Sequence, residues 1–332
     1  MFEIPPADQG CAPPVQPASP ASPEPASSAP TASPTPLSGL TVLCVDVETL
    51  PAEDNRIFKL GALRSDHPSN HPQGLLTDLH PASIPQTAQV IDQLNQLARG
   101  VDLIAGHHLR RHDLPALTAQ LAGLNWLDRR ILDTLELSTL VFPQQSSHRL
   151  FKDYKVVSDT RNDPLSDARV SLDLLNEEIE ALRQLNLQHP RWTGVLHFLL
   201  QDDPGIHLLM TRLRSRPAPS LDFVSTVLPR LLGGVCCTTR LMPVVQALLT
   251  APLDQRWALA QTLSWLRVAA GTSVLPHWVR ATWPQAGALI HELRALDCGD
   301  HGHCGHCARH HHPEGLLLQH FGLPGFRAVP AS

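Results

Sequence analysis

The chain has 332 residues, of which 42% are hydrophobic and 17% are charged, and its formal net charge is −5. This length is enough for two or three domains. The acidic balance excludes a broad basic surface, so any nucleic-acid binding must be local to a groove or depend on bound metal. No apolar run approaches the roughly 18 residues of a membrane span, which predicts a cytoplasmic protein with no membrane partner.

Residues 1–38 differ from the rest of the chain in composition. They hold 11 of the 31 prolines and contain no Lys or Arg. Such a tract cannot bury enough apolar surface to offset the entropy lost on ordering, so we expect a disordered leader. It also lacks the charged-then-apolar order of a signal peptide.

Residues 39–186 alternate strand and helix signals, which predicts an α/β domain. Strands are expected at Thr41–Val47, Arg56–Arg64, Asp102–Ala105 and the start of Ile131–Leu140, and helices at Thr87–Ala98, from Asp113 to Leu121, in the rest of Ile131–Leu140 and from Pro164 to Leu185. Pro164 suits the first position of the last helix, with Asn162 or Asp163 as its N-cap.

Residues 187–296 lack strand alternation and predict a helical domain. The Leu-rich segments expected to be helical are Val195–Leu200, His207–Leu213, Leu221–Leu232, Met242–Leu249, Arg256–Ala270 and Trp278–Leu296. Large aromatic side chains in such segments more often pack in the core than stack on bases. We interpret as core and helix-contact residues Trp192, Trp257, Trp265, Trp278 and Trp283.

Two carboxylates follow the first predicted strand. Asp46 and Glu48 are spaced by two, so strand geometry points both to the same face of the sheet. Two like charges at one spot are costly unless a cation lies between them, which favours a divalent-metal site. Asp113 and Asp167 can join this pair, because Asp113 follows a short strand and Asp167 shares a helical stripe with apolar residues and should face inward.

The order of these four acids resembles the DEDD superfamily of 3′→5′ exonucleases, the DnaQ-like branch of the ribonuclease H fold. The segments that carry the resemblance are Val45–Thr49, Arg56–Ala62, Ile104–Asp113 and Asn162–Ala168. The resemblance implies a ribonuclease H-like mixed sheet flanked by helices. It also implies two Mg²⁺ or Mn²⁺ ions held by the four carboxylates, and in-line hydrolysis of a phosphodiester at a 3′ end. Thr49, His108 and Asn162 are expected to contact the substrate.

The chain departs from this family at the general base. The family has a His five residues before the last Asp or a Tyr four before it, and this chain has Asn162 and Asp163 there. An Asn amide takes no proton at neutral pH, and Asp163 is better explained as a helix cap. Our first choice of base is His148, which precedes the segment leading to Asn162–Ala168. The alternatives are Tyr154 and His112.

A Cys- and His-rich segment at 297–327 predicts a zinc site. Cys298, Cys304 and Cys307 fall within ten residues, and the fourth ligand is expected to be His311, with His310 next. Three thiolates and one imidazole make a closed structural site for one Zn²⁺, and this clustering favours a metal over a disulfide framework. The role of such a site is architectural.

This tail also resembles the stretch before the helicase core in large bacterial RecQ-like helicases that carry an N-terminal exonuclease domain. The blocks Ser147–Lys155 and Ser273–Arg280 show the same likeness. No phosphate-binding Gly-x-x-x-x-Gly-Lys-Ser/Thr loop occurs, so these 332 residues do not contain the helicase motor. The resemblance implies single-stranded DNA 3′ ends as substrate, a helicase as partner and a role in DNA repair. The alternative is a docking module of a helicase system whose exonuclease fold is catalytically weak or inactive.

Overall fold

The computed structural model describes residues 39–66, 74–79, 83–127, 129–150, 163–268, 275–300 and 303–310. The predicted leader, residues 1–38, lies outside them. The strands among these residues are β1 (Val42–Leu50), β2 (Arg56–Arg64), β3 (Gly74–Asp78), β4 (Leu103–Gly106) and β5 (Ile131–Asp133).

These strands form one mixed sheet in the order β3-β2-β1-β4-β5. The pairs β1–β2 and β2–β3 are antiparallel, whereas β1–β4 and β4–β5 are parallel. The first four residues of the central strand β1, Val42–Val45, are all apolar and buried, as expected of a strand that is covered on both faces. This arrangement confirms the predicted fold class, an α/β fold with a mixed sheet flanked by helices.

Four helices accompany the sheet: α1 (Ile84–Leu97), α2 (Leu114–Gln120), α3 (Thr134–Val141) and α4 (Pro164–Gln188). Asp163 caps α4 by accepting a hydrogen bond from the amide of Leu165 at 3.2 Å, and Pro164 is the first helical residue. Of the two caps considered from sequence, Asp163 is therefore the one observed, and Asn162 lies outside the described residues. Strand β3 was not predicted.

The two faces of the sheet bury different residues. On one face Leu43 and Val45 of β1 pack in a cluster with residues of α1 and α2. On the other face Val42 and Cys44 pack with Ala168 and further residues of α4. Because alternate residues of a strand point to opposite faces, Asp46 and Glu48 lie on the α4 face of the sheet.

A helical region follows, as predicted. Its helices are α5 (Pro190–Leu199), α6 (Pro204–Arg214), α7 (Leu221–Leu231), α8 (Thr238–Leu249), α9 (Leu253–Val268), α10 (His277–Thr282) and α11 (Pro284–Ala295), and a short helix α12 (Gly305–His310) lies in the Cys-rich tail. The predicted helix Trp278–Leu296 is thus two helices, because Pro284 cannot continue the first one and begins the second.

One hydrophobic core links the helical region to the α4 face of the sheet. The boundary predicted at residues 186 and 187 falls at the end of α4, and the division into domains stays a prediction. The Trp residues predicted to be core are buried at 192, 257, 265 and 283, whereas Trp278 is half-buried. Within the described part of the chain, no helix has the length and apolarity needed to cross a membrane.

Candidate functional site

Three of the predicted carboxylates come together at the end of β1. Asp46 and Glu48 project from the strand, and Asp167 lies in the first turn of α4, where it is 1% exposed. One oxygen of each carboxylate lies within 4.8 Å of the others. The predicted inward orientation of Asp167 is confirmed, and the spacing of two between Asp46 and Glu48 places both on the face that α4 covers.

A glycine on the neighbouring strand lets α4 begin this close to the sheet. Gly61 of β2 pairs with Asp46 across the antiparallel ladder. A Cβ atom at Gly61 would lie 2.3 Å from the backbone nitrogen of Leu165 and 2.3 Å from the carbonyl carbon of Pro164. Any larger residue would push the start of α4 away from β1. Gly61 therefore sets the distance between Asp167 and the β1 pair.

Asp113 lies beside this group and is 1% exposed. It ends a π-helical turn, Leu109–Asp113, and its Oδ1 lies 2.9 Å from Nδ1 of His112. Burial raises the pKa of Asp113 to about 6, while His112 and the backbone amide of Val47 act in the opposite direction. Since Val47 lies between Asp46 and Glu48, Asp113 borders the three-carboxylate group without belonging to it.

The π-helical turn is held by a buried acid that the sequence analysis did not identify. Asp133, at the end of β5, accepts hydrogen bonds at 3.0 Å from the amides of His108, Arg110 and Leu135. It thereby caps α3 and fixes the backbone of His108, whose φ of 66° is in the left-handed region. An Asp directly after a predicted strand and before a predicted helix was the available sequence signal.

The other predicted site residues within the described part of the chain are Thr49, His108 and His148. Thr49 is half-buried and follows an irregularity in the β1–β2 register between Glu48 and Thr49, a feature that often occurs next to active sites. His108 is half-buried beside His112. His148 is 8% exposed, and its Nδ1 lies 2.8 Å from Oγ of Ser138 in α3. Burial lowers the pKa of His148.

Two of the predicted residues, Asn162 as a substrate contact and Tyr154 as an alternative base, lie outside the described residues. His112, the other alternative base, is about half exposed, and its pKa is raised first by the hydrogen bond with Asp113 and also by the charge of Glu48.

The chemistry of the carboxylate group suits divalent metal ions. Its ligand atoms are all carboxylate oxygens, the donors that Mg²⁺ and Mn²⁺ prefer. Oδ2 of Asp113 is buried and accepts no hydrogen bond from the described part of the chain, so it is a further oxygen able to take a ligand at the edge of the group. The residues therefore fit a site for magnesium or manganese.

A second group of metal-ligand atoms lies in the tail. The Sγ atoms of Cys237, Cys298, Cys304 and Cys307 all lie within 4.8 Å of one another. A tetrahedral zinc site with Zn–S bonds of about 2.3 Å has edges of about 3.8 Å, and Cys298 and Cys307 are 3.6 Å apart. Four thiols in this geometry can hold one zinc ion.

Three of these cysteines were predicted as ligands from their spacing, and the fourth, Cys237, was not. Cys237 is the N-cap residue of α8, 61 positions before Cys298. His311, the predicted fourth ligand, lies outside the described residues, and the four thiols supply four possible ligand atoms without it. The tail is also joined to the loop before α8 by Arg309, whose Nη2 donates to the carbonyl of Gly234 at 2.8 Å.

Comparison with known proteins gives one distant likeness. The structure of the family B DNA polymerase from the hyperthermophilic archaeon Pyrobaculum calidifontis matches with a TM-score of 0.30 and 12% sequence identity. The match covers 75% of this chain and 49% of the polymerase, so the chain spans about half of that protein's length. The chain matches no protein-family model and no curated protein. A likeness at this level does not identify a family.

Proposed function

We propose that this chain is a metal-dependent 3′→5′ exonuclease that hydrolyses phosphodiester bonds at the ends of single-stranded DNA. The observation that carries the proposal is the group formed by Asp46, Glu48 and Asp167, which come from two separate elements and place their oxygens within 4.8 Å. Like charges at such distances raise the free energy of the fold unless cations balance them. The tight approach at Gly61 holds them together nonetheless.

The three carboxylates have a common task, which is to hold and orient divalent cations. Asp46 and Glu48 approach from the strand and Asp167 from the helix, so the ligands reach a bound ion from two sides. When bound, a pair of such cations supplies charge neutralisation at the scissile phosphate and at the attacking and leaving oxygens. This also explains how a chain of net charge −5 can accept a polyanion.

Asp113 and His112 would lie along the edge where the substrate enters. Oδ1 of Asp113 lies 2.9 Å from Nδ1 of His112, and Oδ2 is buried with no hydrogen-bond partner in the described part of the chain, so Oδ2 is the oxygen free to face a cation. We assign to Asp113 the fourth carboxylate of the site. The resemblance to RecQ-like proteins adds that cleavage takes place in DNA repair together with a helicase.

The four-cysteine group is assigned a structural role. It joins the loop before α8 to the tail after α11, so a zinc ion there would stabilise the packing of the tail.

Cleavage of end-labelled single strands tests the proposal. In the presence of Mg²⁺, a 5′-labelled strand should give a ladder of progressively shorter products, and a 3′-labelled strand should release its label as a mononucleotide at the outset. Chelation of the metal should stop both reactions. Binding of the strand without cleavage would instead support the docking-module alternative, and release of internal fragments would contradict the exonuclease assignment.

A further inference from the structure

Five aromatic rings form a continuous series from the core of the helical region to the surface; we call this series the aromatic ladder. Trp257 stacks on Trp283 with ring centres 5.4 Å apart, and Trp283 meets Trp278 edge-on at 5.4 Å. Trp278 meets His108 edge-on at 6.1 Å, and His108 stacks with His112 at 6.2 Å. The ladder therefore crosses from the helical region to the π-helical turn.

Exposure rises along the ladder. Trp257 and Trp283 are each 5% exposed, Trp278 and His108 are half-buried, and His112 is exposed. The inner two rings thus belong to the core and fix the position of Trp278, while the outer three residues are the ones that solvent reaches. Aromatic rings that core packing holds in place can accept a stacked partner without first losing conformational entropy.

The outer end of the ladder lies beside the carboxylate group. His112 contacts Asp113, with its Nδ1 2.9 Å from the carboxylate Oδ1. Burial raises the pKa of Asp113, and the backbone amide of Val47, the residue between Asp46 and Glu48, acts to lower it. The pKa of His112 is raised first by its hydrogen bond with Asp113 and also by the charge of Glu48, so both side chains lie near the carboxylates of β1. A strand whose terminal phosphate reached the carboxylates would therefore have its bases close to the outer rings.

A basic side chain accompanies the outer rings. Arg111, next to His112 in the π-helical turn, is exposed and donates from Nη2 to the carbonyl of Thr282 at 3.3 Å, which joins the turn to α10. In a chain of net charge −5, Arg111 supplies local positive charge where the ladder reaches the surface, and such charge complements phosphates.

We propose that Trp278, His108 and His112 form a stacking platform for the unpaired bases next to the 3′ end. The inference rests on the proposed exonuclease function and extends it, because it assigns substrate binding to α10 of the helical region. Every base has an aromatic face, so the platform accepts single strands of any sequence and requires the terminal bases to be unpaired. Along the ladder, Trp278 is separated by His108 from His112, the ring that contacts Asp113.

A comparison of Trp278→Leu with Trp278→Phe tests the platform. Both variants keep an apolar side chain for packing against Trp283, but only Leu lacks an aromatic face. The probe is a fluorescent oligothymidine, with binding measured by anisotropy and cleavage measured as KM and kcat. Leu should weaken binding and raise KM by roughly 5- to 100-fold with kcat nearly unchanged, and Phe should restore most of the loss.

Substrates with abasic sites at the terminal positions make the test specific. Wild-type protein should lose affinity for them by about the same factor as Trp278→Leu loses on intact strands, and Trp278→Leu should lose nothing more. Equal losses by Leu and Phe, or independent losses from the abasic sites and the Leu variant, would overturn the platform. If Trp278→Leu weakens binding but wild-type protein cleaves nothing, the platform stands and the exonuclease proposal fails. If both proteins cleave at the normal rate, the exonuclease proposal stands and the platform fails.

Discussion

Arg110 and Asp203 form an ion pair that joins the π-helical turn to the helical region. Nη2 of Arg110 lies 2.7 Å from Oδ2 of Asp203, whose side chain is fully buried. The other oxygen of Asp203 accepts hydrogen bonds at 3.1 Å from the amides of Gly205 and Ile206, and so caps α6. One buried carboxylate thus holds a helix start and fixes the turn that leads into Asp113.

Replacing Asp203 should therefore destabilise the fold. Asp203→Ala removes a helix cap and leaves Arg110 without this partner, which should lower the free energy of unfolding by about 3–5 kcal/mol. Glu180→Ala in α4 is the control. The side chain of Glu180 is 51% exposed and pairs with that of Arg183, which is 41% exposed, so its loss should change the free energy of unfolding only slightly. Urea unfolding measures both, and similar losses would show that the Arg110–Asp203 pair does not anchor the helical region.

The charged groups around Arg110 and Asp203 should make the free energy of unfolding depend on pH. Burial raises the pKa of Glu136 to about 8, and the charges of Asp133 and Asp203 add to this, while Arg110 acts against it. The folded protein then holds a proton that the unfolded chain loses near its ordinary pKa of 4.5. The contribution of Glu136 to stability is full below that ordinary pKa and is lost as pH rises toward about 8.

Glu136→Gln, which stays neutral, should remove this dependence. The free energy of unfolding of wild-type protein should fall relative to the variant across this pH window, by at most about 1.4 kcal/mol per pH unit. Thermal or urea unfolding across the window gives the two profiles. Parallel profiles would mean that Glu136 is ionised in the folded protein throughout.

The cysteine group predicts about one zinc per chain, with Cys237 as a ligand. Cys237→Ala should lower the zinc content and the stability of the tail. Its neighbour Cys236 is equally buried, but its Sγ is not among the four grouped sulfurs, so Cys236→Ala should keep the zinc. Elemental analysis measures both variants. If His311→Ala releases zinc and Cys237→Ala does not, the fourth ligand is the imidazole.

His148 remains our choice for the general base. His148→Ala should slow cleavage by roughly 10²–10⁴-fold, the range typical of such a group. Because His148 is buried against Ser138, the variant also loses a hydrogen bond in the fold, and Ser138→Ala is the control that removes this bond but keeps the ring. Wild-type rates in His148→Ala would reject the assignment while leaving the carboxylate site intact.

The sheet and the carboxylate group follow from local sequence patterns. The alternation of β1 places Asp46 and Glu48 on one face, and the apolar stripe of α4 places Asp167 inward, so both could be predicted from spacing alone. The cap Asp163 and Pro164 likewise predicted the start of α4. Each of these signals lies within a few residues along the chain.

Other features depend on contacts between distant segments, and no local pattern indicated them. Cys237 lies beside cysteines that follow it by more than 60 residues. Gly61 matters because the start of α4, more than 100 residues later in the chain, packs against it. Trp is a residue type that usually packs in the core. Trp278 is instead half-buried next to His108, because α10 packs beside the π-helical turn. Strand β3 is short and lies at the edge of the sheet, where the apolar signal is weak.

The most direct test measures Mg²⁺-dependent cleavage by three single variants, Asp46→Asn, Glu48→Gln and Asp167→Asn. Each replaces a charged ligand by a neutral group of similar size, and each should lower the rate by at least about 10³-fold, since bound metal supplies several kcal/mol of transition-state stabilisation. Asp222→Asn, at an exposed acid in the first turn of α7, is the control and should cleave as wild type does. If the three carboxylate variants, like the control Asp222→Asn, all cleave within about tenfold of the wild-type rate, the result would contradict a catalytic metal site at these carboxylates.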